Sequence, residues 1–205
     1  ERRVGFGVFH TAQVLHHFNA SDATVLQGRS FEDLLFDEES TARHHDAQYA
    51  MAAHAMAALE NLYAVSNLLS VAVFHSLKLA EVGVPPFSEP SDITFQSVLS
   101  FIRQLPPCRV VAPAMHALKS APTQKYLEAI VLESRSNSVI SASVIFDARG
   151  RDSEAYRLRI PAFRHSGEDF GARDVDPLLI NEGMRVQRAV EDTLLAVGDH
   201  LRGPA

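Results

Sequence analysis

Apolar residues recur at helical spacing along most of this chain and alternate at strand spacing in one region. The cleanest helical pattern lies in "SDITFQSVLSFIRQLPP", where Phe95, Val98, Leu99 and Ile102 stand at i, i+3, i+4 and i+7. Ser91 or Asp92 offers a cap there, and Pro106-Pro107 a stop. The stretch "TARHHDAQYAMAAHAMAALENLYAVSNLLSVAVFHSLKLAEVG" is rich in alanine and methionine and predicts one long helix from Ser40 or Thr41 to Gly83, with Pro85-Pro86 beyond it. Unbroken, it would run about 60 Å at about 1.5 Å per residue. That length predicts a bend or break near Asn61 to Asn67, or an end that reaches a partner. Further helices are expected over residues 8–18 on Val8, Ala12 and Leu15, and from Pro113 to about Ser120. Another opens at Pro122 and carries Tyr126, Leu127, Ile130 and Val131. The last opens at Asp176-Pro177 and turns Leu179, Val186, Val190, Leu194 and Val197 inward.

The period changes across "ESRSNS", residues 133–138. Beyond it Ile140, Ala142, Val144 and Phe146 alternate with small or polar residues, "DARGRDSE" makes a polar turn, and Tyr156, Leu158 and Ile160 alternate with Arg157, Arg159 and Pro161. This predicts an antiparallel β-hairpin with one buried and one wet face, which is marginal alone and must rest on helices. The expected fold class is mainly α: a helical bundle with one antiparallel β-hairpin inserted before the C-terminal helix. With 205 residues, 46% of them hydrophobic, the chain can bury one substantial core, and residues 1–205 read as a single domain. Within it, 1–40 is an N-terminal helix and acidic segment, 41–136 the helical bundle, 138–164 the hairpin and 175–202 the C-terminal helix.

Composition narrows the function classes. A formal charge of −6 argues against generic nucleic-acid or anionic-membrane binding through bulk electrostatics, while leaving room for a local basic patch. The single cysteine, Cys108, excludes an intramolecular disulfide and a multi-cysteine metal site, and fits a reducing, cytoplasmic setting. The N-terminal apolar run is interrupted by His10, Gln13, His16 and His17, unlike a signal peptide. No stretch reads as long and apolar enough to span a bilayer; the nearest, Leu62 to Leu79, contains Ser66, Asn67, Ser70, His75 and Lys78.

Local charge concentrates on the hairpin, where Arg149, Arg151, Arg157, Arg159 and Arg164 fall within sixteen residues. Pleating puts Arg157 and Arg159 on one face, with Ser141 or Ser143 opposite, a patch suited to a phosphate or an acidic partner surface. The competing reading is a solvated face whose charges, with Asp147, Asp152 and Glu154, block strand addition. In the long helix, His54 shares a face with Asn61, and Glu60 with Asn67; His44 and His45 precede them. The Glu-x-x-His pattern of di-metal bundles is missing, so no metal and no cofactor are expected, and these polar residues read as hydrogen-bonded core or wet face. In "RVVAPAMH", Arg109 precedes His116, and that pair can cleave RNA without metal if the arginine stabilises phosphoryl charge and the histidine serves as acid or base. Cys108, beside Arg109, is a further candidate nucleophile if that charge lowers its pKa.

The segments "HAMAALENLYAVSNLL" and "KYLEAIVLESRSNSVI", followed by a two-stranded hairpin and a terminal helix, resemble a group of bacterial proteins related to HEPN helical bundles. The resemblance covers residues 45–201 in layout and 126–140 in residue identity. In those proteins the joint reads Asn-x-x-Lys-His-Arg; here Leu132 falls at the asparagine, Arg135 at the lysine, Ser136 at the histidine and Asn137 at the arginine. The family implies metal-independent ribonucleases that act as homodimers through an Arg and His motif, often in toxin and antiviral systems. Serine cannot replace histidine as an acid or base near neutral pH. The resemblance therefore implies either a non-catalytic relative that binds nucleic acid or an acidic protein partner, or an endoribonuclease in which Arg109 and His116 supply the motif. A structural dimer joined through the long helices is the third expectation.

Overall fold

The computed structural model describes residues 5–16, 38–82, 87, 89–136, 140, 142–146 and 156–203, without the side chains at 38–41, 43, 44, 146 and 156. The acidic segment before residue 38, most of the turn between the two predicted strands, and the Gly83 to Pro86 stop lie outside the described residues. The fold is mainly α, with a small antiparallel sheet before the C-terminal helix. The elements are α1 (residues 5–16), α2 (Glu38–Ser76), α3 (Phe95–Gln104), α4 (Ala112–Ser120), α5 (Pro122–Ser136), β1 (Ser143–Phe146), β2 (Tyr156–Ile160), β3 (Phe163–His165), β4 (Glu168–Phe170), β5 (Arg173–Asp174) and α6 (Val175–Arg202). They form two compact units, Glu1–Asn61 with Leu127–Asn181, and Leu62–Tyr126 with Glu182–Ala205. The unit boundaries fall inside α2, α5 and α6.

Helix α2 is unbroken over its 39 residues, so the expected break near Asn61 to Asn67 does not occur. Its buried polar side chains bond back to their own helix: Asn61 to the Ala57 carbonyl (2.7 Å), Ser66 to Tyr63 (3.1 Å) and Ser70 to Asn67 (2.6 Å). Satisfied in that way, they can be buried without opening the backbone ladder. By length and composition alone, His45–Ser76 is apolar enough to cross a membrane, contrary to the expectation from Leu62 to Leu79. More than half of that apolar stretch is buried inside the protein, as a core helix requires. The helix stops seven residues before Gly83, because Lys78 takes a left-handed conformation (φ 49°) and ends the helical run.

In the first unit, α1 buries Gly7 and Val14, while Val8 is 60% exposed. The expected face on Val8, Ala12 and Leu15 is therefore rotated. His10 meets His54 of α2, Nδ1 to Nδ1 at 2.9 Å, so one ring donates and the other accepts. The core gathers Met51, Leu59, Leu127 and Ile130 with Leu158 and Ile160 of β2. β1 and β2 pair antiparallel as expected, with Ser143 opposite Arg159 and Val144 opposite Leu158. Two further features escaped the hydrophobic pattern. β5 adds to β2, giving the order β1-β2-β5, and β3 with β4 makes a second hairpin. Its two-residue turn places Ser166 (φ 50°) and Gly167 (φ 84°) in left-handed geometry, which suits the twist of the flanking strands.

The second unit is organised by α3. Its predicted stripe of Phe95, Val98, Leu99 and Ile102 is buried, each side chain contributing about 1.5–3 kcal/mol. Thr94 caps it, with Ser97 reciprocating, in place of the expected Ser91 or Asp92, which belong to a preceding 3-10 turn. On α6 the inward residues of this unit are Glu182, Val186, Ala189, Thr193 and Val197; Leu194, expected inward, is 51% exposed. Glu182 is buried because Arg185 clasps it, through Nε at 3.0 Å and Nη2 at 2.7 Å. The same guanidinium donates to the Leu118 carbonyl at the end of α4 (2.6 Å) and to Gln124 Oε1 at the start of α5 (2.9 Å). One arginine thus neutralises a buried carboxylate and caps a helix C-terminus.

Candidate functional site

Strand β2 lies between β1 and β5, so its alternation sorts side chains cleanly. Leu158 and Ile160 are buried, whereas Arg157 and Arg159 occupy the opposite face with side chains 39% and 38% exposed. β5 places Asp174 across from Arg159. Arg159 Nε donates to Asp174 Oδ1 at 2.7 Å and Arg157 Nη1 to Oδ2 at 3.3 Å. One carboxylate therefore holds two guanidinium groups side by side, one oxygen to each. The hydrogen bond from Arg159 holds the Asp174 carboxyl below its ordinary range against the opposing effect of burial, and Arg157 adds to the lowering. The three groups carry a formal charge of +1 on a partly open face.

Asp176, at the start of α6, behaves oppositely. Burial pushes its carboxyl up, the charge of Asp174 pushes it further, and its buried Oδ1 has no hydrogen-bond partner among the described residues. Arg173, opposite Ile160, is half-buried in the same sheet.

The other hairpin arginines separate. Arg149 and Arg151 lie outside the described residues. Arg164, on β3, donates to the Gly167 carbonyl of its own turn (3.2 Å) and faces Asp169 at 3.6 Å, with both side chains at least 70% exposed. Its neighbour His165 turns to the protein interior, where Nδ1 meets Glu133 Oε2 at 2.8 Å with side-chain exposures of only 20% and 12%. Sequence reading treated Glu133 as part of a polar junction. Its helix-face signal was the position three residues beyond Ile130, but its partner belongs to a hairpin too short to show a period. The signal for that hairpin was "FRHSGEDF", in which Ser-Gly is flanked by matched phenylalanines whose rings stack at 5.1 Å.

Arg109 and His116 are both exposed on a continuous helical run from Pro106 to Ser120. Val111 and Ala112 have right-handed helical backbone angles, so the 3-10 turn feeds directly into α4. Three 3-10 steps and four α steps place the two residues within about 40° around the axis and about 12 Å apart along it. Arg109 Nε donates to the Arg103 carbonyl at 3.2 Å, and no hydrogen bond or ion pair links it to His116 among the described residues. Cys108 is buried, its thiol pushed up by desolvation, with Sγ 4.0 Å from His200 Nε2. Burial outweighs the adjacent Arg109, contrary to the reading of an activated thiolate.

In α2, Glu60 approaches Arg135 at 3.7 Å, Asn67 is exposed, and His54 and Asn61 are engaged as described. Among the described residues no group of three or more His, Cys, Asp or Glu is arranged to hold a metal ion. Comparison with family models, with curated proteins and with solved structures finds no match for this chain.

Proposed function

We propose that this protein is a non-catalytic, HEPN-like helical interaction protein that binds an anionic ligand through the arginine face of its sheet. The observation that carries the reading is Asp174 holding Arg157 and Arg159 side by side while each side chain keeps nearly two-fifths of its surface open. Guanidinium groups positioned by a carboxylate lose less freedom when an anion arrives, and each offers a planar fork of donors matched to phosphate or carboxylate oxygens. A phosphate-bearing ligand such as a nucleic-acid backbone, or an acidic protein partner, has the complementary chemistry. Titration with inorganic pyrophosphate, a short RNA and an acidic peptide tests the reading. Binding of at least one that weakens in Arg157→Ala with Arg159→Ala supports it; unchanged binding of all three reduces the arginines to a solvated face.

A second reading rests on the shared exposed face of Arg109 and His116. There the protein is a metal-independent endoribonuclease, with Arg109 stabilising phosphoryl charge and His116 acting as acid or base. RNA cleavage in the presence of EDTA that disappears in His116→Ala would establish it and displace the non-catalytic reading.

A further inference from the structure

The sheet has an edge that its charges do not guard. β2 lies between β1 and β5, so Arg157 and Arg159 stand on a central strand and cannot block strand addition from there. Of the two outer strands, β5 is two residues long and runs directly into α6. The edge available for pairing therefore belongs to β1. Its residues, Ser143, Val144, Ile145 and Phe146, include no charge and no proline, and their four consecutive pairs with β2 leave no bulge. Those are devices by which edge strands are ordinarily blunted, and brevity is the one that β1 retains. Among the described residues the backbone of β1 pairs only with β2, so its outer N–H and C=O groups have no strand to bond.

The faces on either side of this edge identify the occupant. Ser143 stands opposite Arg159 and Ile145 opposite Arg157, so these residues share the arginine face, while Val144, opposite Leu158, belongs to the core face. A strand added to β1 continues both faces. Its side chains at alternate positions lie on the side where two guanidinium groups and one carboxylate leave a formal charge of +1, and those between them extend the apolar side beside Val144. The added strand stands about 9.6 Å from β2, two spacings of about 4.8 Å. A carboxylate side chain leaning in and an arginine leaning out together span that gap. Ser143 is small and exposed, and Arg157 is held by the longer contact to Asp174, 3.3 Å against 2.7 Å for Arg159. We propose that β1 is a docking edge for an extended acidic peptide, whose backbone adds a strand to the sheet and whose alternate Asp or Glu side chains face Arg157 and Arg159. The proposal rests on the anion-binding reading of the arginine face and names the ligand class. A nucleic-acid backbone brings phosphates to the arginines but no amide ladder to β1. Two residues of a four-residue edge point their backbone groups outward, so at most about four hydrogen bonds are gained and the affinity is of the weak, micromolar class.

Calorimetric titration of the full chain with the blocked peptide Thr-Glu-Val-Glu-Val-Glu-Thr tests this, with pyrophosphate and a short RNA alongside. Binding should weaken at least about fivefold for the same residues in the order Thr-Glu-Glu-Glu-Val-Val-Thr, which puts acids on both faces of the strand. Residues whose side chains share a face of a strand also direct their amides to the same edge. N-methylation of the glutamate amides alone, or of the valine amides alone, therefore blocks one edge each. One of the two should weaken binding at least about tenfold, and the other should leave it within about twofold. Arg157→Ala with Arg159→Ala should weaken the alternating peptide at least about tenfold, with circular dichroism checking that the variant keeps its secondary structure. Binding that needs the arginines but is indifferent to residue order, or to both methylations, overturns strand addition and leaves the arginine reading standing. So does binding of pyrophosphate or RNA by a chain that binds neither peptide. Edge-selective binding that survives the loss of both arginines overturns the acidic partner and the arginine reading together.

Discussion

Replacing Arg185 by methionine isolates the chemistry that holds the second unit together. Methionine keeps much of the apolar stem but removes the guanidinium that serves Glu182, the Leu118 carbonyl and Gln124. The Glu182 side chain is only 2% exposed, so it would be left as an unpaired buried carboxylate. Losing one partner of a buried ion pair costs about 3–5 kcal/mol, and the stranded carbonyl at the end of α4 adds to this where water cannot reach it. For a chain of this length that corresponds to a fall of about 6–20 °C in Tm. Urea unfolding followed by circular dichroism measures it. Removing both charges, with Glu182→Leu and Arg185→Met, should recover most of the loss, because an apolar pair carries no desolvation penalty. The coupling between the two sites should exceed about 2 kcal/mol. A cost below about 1 kcal/mol for Arg185→Met, or a double variant as unstable as the sum of the singles, would refute the reasoning.

Three further outcomes follow from buried polar groups. Burial and the charge of Asp174 raise the Asp176 carboxyl above its ordinary value of 3.8, so its contribution to stability is complete below that value and is lost as pH rises through the folded one. Asp176→Asn should therefore have a higher urea midpoint than the parent at pH 7, with the difference vanishing towards pH 3; a lower midpoint at pH 7 would contradict this. The buried, neutral thiol of Cys108 should react with a maleimide at pH 7.5 at least about tenfold more slowly than in urea-unfolded protein, and equal rates would show it to be accessible. Glu133→Ala leaves His165 without its carboxylate and should cost about 1–3 kcal/mol, with Glu133→Gln milder because an amide oxygen still accepts; a neutral Glu133→Ala would mean that the contact contributes nothing.

Long amphipathic elements were legible in the sequence because many residues vote on one period. The stripe of α3 was read residue for residue, and the pairing of β1 with β2 put Ser143 opposite Arg159 as the pleat requires. Positions set by a single tertiary contact were not legible. The face of α1 follows Gly7 and the His10 to His54 contact, neither of which contributes to an apolar period. Leu194 looked inward by residue type, yet helix rotation gives its place to Thr193, whose hydroxyl is satisfied by the Ala189 carbonyl at 2.7 Å. β5 is two residues long and cannot display alternation, so Asp174, which positions both arginines, was invisible although the arginines were not.

The arginine face is tested most directly by titrating the protein with pyrophosphate and a short phosphorylated RNA in an isothermal calorimeter at low salt. Loss of two charge-assisted contacts, each of about 1.5–3 kcal/mol, predicts that Arg157→Ala with Arg159→Ala weakens binding at least about a hundredfold. The paired lysine variant, which keeps the charge but loses the fork, should fall between that variant and the parent. Saturable binding that follows this order is the predicted result. Binding of equal strength in all three proteins, or no binding of pyrophosphate, of the RNA or of an acidic peptide by the parent, would contradict the account.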